Sequence, residues 1–310
     1  MDEVLGPMNF TIAQETRPGK RPYNQDRLGY WRTAESLLLV LADGMGGHAH
    51  GEVAAELTMR HIAAAFRRDA RPRLADPDLF LFRAVGRSHG MLHRESVNLA
   101  LPETPRTTVV ACVVQDGHAW WQHVGDSRFY LLRKGQLHAR TRDHTVVQEL
   151  VDAGRLAEDA VRTHPERNRL LQCLGGLQPP RVEPTSRARL ERDDLLLLCS
   201  DGLWGPLTQR QILEGLAGAP LAETLPRLVA LAEEQGGPGC DNISAVALAW
   251  GEDAVAETAA PSPPVASAEM STIAQDFGAT DPDFLRMTDE DIERAIAEIK
   301  AALKRHNPPR

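Results

Sequence analysis

The chain is predicted to be an α+β protein, with antiparallel strands at the centre and helices inserted in pairs. Three observations carry that reading. Four strand-like segments between Thr107 and Arg140 include two joined by Gln115-Asp116-Gly117 and two joined by Lys134-Gly135, the spacing of antiparallel hairpins. Two helical patterns follow one another directly at 52–68 and from Asp76 to about Ser96, rather than alternating singly with strands, which argues against a doubly wound parallel sheet. The 310 residues, 42% hydrophobic and 25% charged, suffice for one large domain or two small ones.

Segments 8–15 (MNFTIAQE) and 26–32 read as strands on either side of a loop carrying Lys20 and Arg21. Residues 37–41 (LLLVL) form an apolar run too short for a helix, so they are predicted to be a buried strand. That strand delivers Asp43 to its end. Gly44, Gly46, Gly47 and Gly51 follow, and glycines let backbone approach an ion or ligand closely. Taken alone, Asp43-Gly44 equally suits a hairpin turn. The helix at 52–68 puts Val53, Leu57, Ile62, Ala65 and Phe66 on one broad face. The next opens with Asp76 at the cap and Pro77 in the first turn, and its stripe is Leu81, Val85, Ser88 and Leu92.

Strands are expected at 107–114, 118–124, 128–133 and 136–140, then short helices at 144–153 and 169–174 around an irregular polar stretch, 154–168. A buried strand at 194–200, helices at 208–216 and 221–234, and a last strand (ISAVALAW) opened by Asp241-Asn242 complete residues 1–250. Residues 251–269 are rich in Ala, Pro and Ser and read as a linker, and 270–310 as an acidic helical tail. Its helix starts at Thr288 with a Thr-x-x-Asp cap, acidic residues in the first turn and basic ones in the last. Ile292, Ile296, Ile299 and Leu303 make a narrow apolar stripe, marginal in water unless it packs on something.

The net charge is −8, of which residues 251–310 hold −6, from 12 acidic against 6 basic residues. The remainder is close to neutral, so no nucleic-acid partner is expected. No apolar run approaches the roughly 20 residues of a membrane span, and MDEVLGPMNF is no secretory leader. Cys112, Cys173, Cys199 and Cys240 form no C-x-x-C pair and read as free thiols, which fits a cytoplasmic location with no membrane partner.

Asp26, Asp43, Asp126, Asp201 and Asp241 all fall at strand ends or in adjoining loops. Carboxylates with water are the ligands that hard divalent ions prefer, but only the fold can bring these together. Other hydrolase chemistries fail. A cysteine-nucleophile phosphatase needs Arg six positions after its Cys, and those positions hold His118, Pro179, Gly205 and Val246. The segment 125–129 (GDSRF) lacks the closing glycine of a nucleophile elbow, and no phosphate-binding G-x-x-x-x-G-K-[ST] loop occurs. His48-x-His50 has no further ligands at zinc-finger spacing.

RPYNQD, LADGMGGHAHGEVAA, TTVVACVV, VGDSRFYLLRKGQL, LLLLCSDGLW and CDNISAVAL occur in that order. Over about residues 8–250 the chain thereby resembles the metal-dependent protein phosphatases of the 2C type, in their bacterial form. The resemblance implies a central β-sandwich flanked by helices on both faces. It implies hydrolysis of phosphoserine and phosphothreonine on phosphorylated proteins by metal-activated water, opposing a bacterial Ser/Thr kinase. The implied cofactors are two Mn²⁺ or Mg²⁺ ions, with a third, weaker ion in bacterial members. By the same matching, Asp43 bridges two metals and the Gly44 carbonyl adds a ligand. Asp201 and Asp241 complete the first metal, and Asp126 serves the third. Asp26 hydrogen-bonds water at the metals, Arg21 grips the substrate phosphate, and Gln25 and Asn242 support the ligands. Gln25 and Met45 depart from the animal enzymes, which carry there an acidic residue and a histidine proposed as general acid. The proton donor is therefore open, with His48 or a metal-bound water as candidates. The stretch 154–168 matches a variable flap that bears on specificity. A non-catalytic member would have lost metal carboxylates, whereas all five are present. The tail could pack on its own domain, a second copy or another protein, and docking to a partner protein is the expectation.

Overall fold

Leu37, Leu39 and Leu41 point one way from a single strand and Leu38 and Val40 the other, and all five are fully buried. A strand covered on both faces needs an unbroken apolar run of this kind. The computed structural model describes residues 8–45 and 50–251. It contains ten strands: β1 (Phe10–Arg17), β2 (Asp26–Arg32), β3 (Ser36–Asp43), β4 (Val109–Gln115), β5 (His118–Val124), β6 (Arg128–Arg133), β7 (Gln136–Arg140), β8 (Ser186–Arg189), β9 (Leu195–Cys199) and β10 (Ile243–Trp250). They form two antiparallel sheets, ordered β1-β10-β9-β6-β7 and β2-β3-β4-β5-β8.

The inner faces meet in a core that includes Leu39, Leu41, Val110, Phe129, Leu198 and Val246. Helices α1 (Gly51–Asp69) and α2 (Pro77–Asn98) cover the outer face of the β2–β8 sheet, burying Leu38, Val40 and Val113 under Ile62, Phe66 and Leu81. On the other side lie α4 (Asp201–Trp204), α5 (Gln209–Gly215) and α6 (Leu221–Gly236). There Ala245, Ala247 and Ala249 of β10 admit Leu225, Leu228 and Val229 of α6 at close range. The fold is thus the expected α+β sandwich with helices on both faces. The remaining helix, α3 (Val146–Asp152), is capped by Thr145, whose hydroxyl accepts from Gln148 N. Asp76 caps α2 as predicted, accepting from Leu79 N at 3.0 Å.

Some expectations change. β1 begins two residues later than the apolar pattern suggests. Residues 169–174 are not helical: Leu170 bridges Thr145, and Leu174 exchanges both backbone hydrogen bonds with Thr107. Those long-range pairings use the groups a helix would need. β8 was not predicted, because its SRAR sequence is a mostly exposed edge strand with no apolar alternation. Within the polar stretch 154–168 a short 3₁₀ segment, Glu158–Thr163, is present. All four cysteines are free, Cys112, Cys199 and Cys240 buried. Among the described residues no helix is long and apolar enough to cross a membrane. The linker after Gly251, the tail helix and His48 lie outside the described residues.

Candidate active site

β2 starts, β3 ends, β9 ends and β10 starts at one end of the sandwich, and the aspartates gather there. Asp26 and Asp43 stand in register across β2 and β3. Asp126 lies in the β5–β6 link, Asp201 opens α4 straight after β9, and Asp241 precedes β10. Each sheet therefore contributes. Asp26 and Asp126 are each 4% exposed, while Asp43, Asp201 and Asp241 are half-buried.

The backbone around each carboxylate is fixed by its neighbours. The Asp43 carbonyl accepts from Thr107 Oγ1 at 2.7 Å and from Thr108 N at 2.9 Å. Gly44 N donates to Gln25 O at 3.3 Å, and a Cβ on Gly44 would lie 2.3 Å from Gly51 O, so only glycine fits where the loop closes on the strand. Trp204 Nε1 donates to Asp126 O at 2.9 Å, and Arg128 lies over the Trp204 ring at 3.6 Å while gripping buried Asp143 through two nitrogens. Ser200 Oγ donates to Asp26 Oδ2 at 2.8 Å, whereas Asp26 Oδ1 is buried without a protein partner.

Asn242 works as a clasp. It accepts from Gln25 N at 2.8 Å and donates to Pro18 O at 2.9 Å and Tyr23 O at 3.1 Å, so it holds the loop that carries Arg21. Gln25 Nε2 donates to Glu52 Oε2 at 3.0 Å. Arg21 Nη2 donates to Asp241 Oδ2 at 2.7 Å from a half-exposed position.

The carboxylates act on one another. Burial first, then the charges of Asp26, Asp201, Asp126 and Asp241, hold Asp43 well above the ordinary carboxylate range. Asp201 is raised by burial and by Asp126, Asp241 and Asp26, with Arg21 opposing. Burial pushes Asp26 up to about 6, with the Ser200 hydroxyl opposing and the charge of Asp241 adding to the rise. Asp126 rises to about 7 through burial and Asp143, with Arg128 opposing.

Five carboxylates near enough to raise one another's pKa, one carrying a buried oxygen without a partner, form an all-oxygen donor set. That set fits hard divalent cations. Among the described residues no three Asp, Glu, His or Cys side chains close on one point as a finished cage. The arrangement suits an ion that keeps several of its waters, as Mg²⁺ does.

The sequence-derived site residues Arg21, Gln25, Asp26, Asp43, Gly44, Asp126, Asp201, Asp241 and Asn242 are thus brought to one region. Sequence reasoning missed Ser200, although it sits directly before Asp201 in the CSDGLW segment, and missed Thr107 and Thr108, which hold the Asp43 backbone. It also missed the support of Asp126 by Trp204, Arg128 and Asp143, which no local pattern announces.

Comparison with known proteins adds the following. The sequence model of the family described as Protein phosphatase 2C matches residues 19–238. The serine/threonine protein phosphatase PstP of Mycobacterium tuberculosis is 39% identical over 235 residues, 76% of this chain but only 43% of that protein. This chain therefore spans less than half the length of that relative. Protein phosphatase PhpP of Streptococcus pneumoniae is 30% identical over 237 residues, covering 76% of this chain and 94% of PhpP. Among solved structures, the catalytic domain of PstP in complex with two manganese ions superposes with a TM-score of 0.67 at 33% identity, covering 78% of this chain and 98% of that one. Stp1 from Staphylococcus aureus gives a TM-score of 0.72 at 26% identity, covering 81% and 100%.

Proposed function

Because the chain belongs to the protein phosphatase 2C family, we propose that it removes phosphate from phosphoserine and phosphothreonine of proteins, aided by two Mn²⁺ or Mg²⁺ ions and a weaker third. The observation that carries this reading is the cluster of five carboxylates, with Arg21 the one side-chain cation paired to any of them among the described residues. The two manganese ions of the related PstP catalytic domain support it. In this reading Asp43, the Gly44 carbonyl, Asp201 and Asp241 hold the two ions, and Asp126 holds the third. When bound, such ions lower the pKa of water and neutralise the phosphoryl oxygens.

The chain's own groups do the rest. Ser200 fixes Asp26 through Oδ2, which leaves Oδ1 free to accept the proton of a water beside the phosphate. Asp26 needs to be ionised for that task; burial first and the charge of Asp241 last raise its pKa, and a cation in the cluster would favour the ionised form. Arg21 presents a planar fork suited to bidentate phosphate binding. With Asp241 engaged as a metal ligand, the Arg21 fork would be open to substrate, while Asn242 keeps its loop in place. Residues 154–168 supply specificity beside the site: Arg162 Nη2 donates to Pro206 O at 2.6 Å and Nε to Gly205 O at 3.2 Å, tying this stretch to the end of α4.

The substrates proposed are phosphorylated proteins, with a Ser/Thr kinase as the opposing enzyme. Residues 1–250 are taken as catalytic, 251–269 as linker and 270–310 as a docking tail. The test is turnover of a phosphothreonine peptide by the full chain with Mn²⁺ and after chelation. Release of phosphate that requires the ion is expected. Undiminished turnover by protein verified to be metal-free would overturn the reading.

A further inference from the structure

We propose that the acidic tail of this chain docks back on its own domain, in a groove between the C-terminal half of α1 and the N-terminal half of α2. The groove is a cavity of about 450 Å³. Its floor is apolar, with Leu74, Leu79, Phe80 and Ala84, and Leu79 remains 40% exposed. Its walls carry Arg68, Arg83 and Arg87. Arg83 and Arg87 make no ion pair among the described residues, and the two carboxylates in the lining are engaged, Asp69 with Arg68 and Asp76 with Leu79 N. The positive charge is felt locally: after burial, Arg94, Arg68 and Arg87 lower the pKa of His61, which also lines the groove. Between residues 60 and 94 eight arginines stand against three aspartates, in a chain whose overall charge is −8.

Charge and position both select the tail as occupant. Residues 252–310 carry −6, all of it before Thr288; the segment from Thr288 is balanced overall but asymmetric, with Asp289, Glu290, Asp291 and Glu293 gathered at its start beside Ile292 and Ile296, and Lys300, Lys304 and Arg305 near its end around Ile299 and Leu303. The acidic start of this amphipathic segment complements the arginine walls, and its apolar stripe the floor. The chain also leaves the domain at the correct end. Gly251 N donates to Asn9 O at 2.8 Å, and Phe10 beside it lies under Arg32 at the end of β2. The next residue, Thr33, donates its hydroxyl to Pro72 O, and Leu74 at the groove exchanges hydrogen bonds with Gln115 at the end of β4. This end is opposite the aspartates. From that exit to the groove is on the order of two layer spacings, roughly 20 Å. The 36 residues between Gly251 and Thr288 reach up to about 120 Å fully extended. Tethering gives the segment an effective concentration on the order of millimolar, so modest contacts suffice. Of the three surfaces open to the tail, its own domain is therefore favoured over the partner protein expected from sequence.

A photo-crosslinking amino acid placed at position 296 of the full chain tests this. Irradiation is expected to join it, within the monomer, to peptides spanning residues 61–87. Arg83→Glu with Arg87→Glu should lower the yield about tenfold, equivalent to roughly 1.4 kcal/mol. Adding Asp289→Arg with Asp291→Arg should restore it. Turnover of p-nitrophenyl phosphate should be the same in every variant, because the groove lies away from the aspartates. Cross-links elsewhere on the monomer, cross-links confined to dimers, a yield indifferent to charge reversal, or lost turnover in the arginine variants would each overturn the proposal.

Discussion

Asp26 and Asp43 stand directly opposite each other on neighbouring antiparallel strands, and after burial the charge of Asp26 is the largest cause that raises the pKa of Asp43. Like charges at such a position destabilise the pair. At about 5 Å the repulsion is roughly 3 kcal/mol for an effective dielectric of 20.

A pH dependence follows. Asp26 is raised to about 6 and Asp126 to about 7, so between about pH 4 and pH 7 the metal-free folded chain binds more protons than the unfolded one. These groups therefore stabilise least at the upper end of that window, and stability is lost as pH rises through it. Bound cations reverse the effect, because they require the ionised form. The increase in melting temperature on adding Mn²⁺ is expected to be larger at pH 8 than at pH 5. Thermal scans giving equal increments at the two pH values would count against mutual repulsion as the state of the metal-free site.

Arg21→Ala is expected to reduce kcat/KM by about 10–150-fold, the loss of a charged hydrogen bond of about 1.5–3 kcal/mol to phosphate. Sequence alone suggests no effect on metal affinity. The 2.7 Å pair with Asp241 refines that: removing Arg21 leaves Asp241 free for a cation, so Mn²⁺ affinity should stay equal or rise slightly. Steady-state kinetics with a Mn²⁺ titration decide this, and weakened metal binding would assign Arg21 a structural role instead.

Gly202→Ala tests how closely β10 must approach α4. A Cβ there would lie 2.0 Å from the Asn242 carbonyl oxygen, between the segments that carry Asp201 and Asp241. Overpacking of this kind costs about 1–3 kcal/mol. Lower stability together with weaker Mn²⁺ binding is the expected result. A variant with wild-type melting and metal affinity would show that the two segments move independently.

Much of this was legible in sequence wherever one local pattern sufficed. The unbroken run into Asp43, the Asp76-Pro77 helix start and the turns at Gly117 and Gly135 each signal an element through its own residues. Five carboxylates at strand ends suggested divalent-ion ligands, but that they share one site came from the family resemblance, because spacing alone does not bring them together. What failed depended on distant partners. Residues 169–174 look helical until Leu174 is paired with Thr107, and β8 has no strand pattern because it is a charged edge beside β5. The roles of Ser200 and of Trp204 beneath Asp126 come from sheet order, and the α1–α2 groove from the angle of two helices. None of these is written in spacing.

Asp43 is the central member of a group of aspartates whose charges oppose one another in the absence of cations. Equilibrium dialysis of Mn²⁺ against the full chain and against Asp43→Asn, with melting of both metal-free proteins, tests this most directly. The wild type is expected to bind at least two ions per chain, as in the related PstP domain. The variant should bind fewer, yet melt higher than the wild type when both are metal-free, because it has lost a negative charge facing Asp26. Equal ion binding by the two proteins, or a metal-free variant that melts lower, would contradict it.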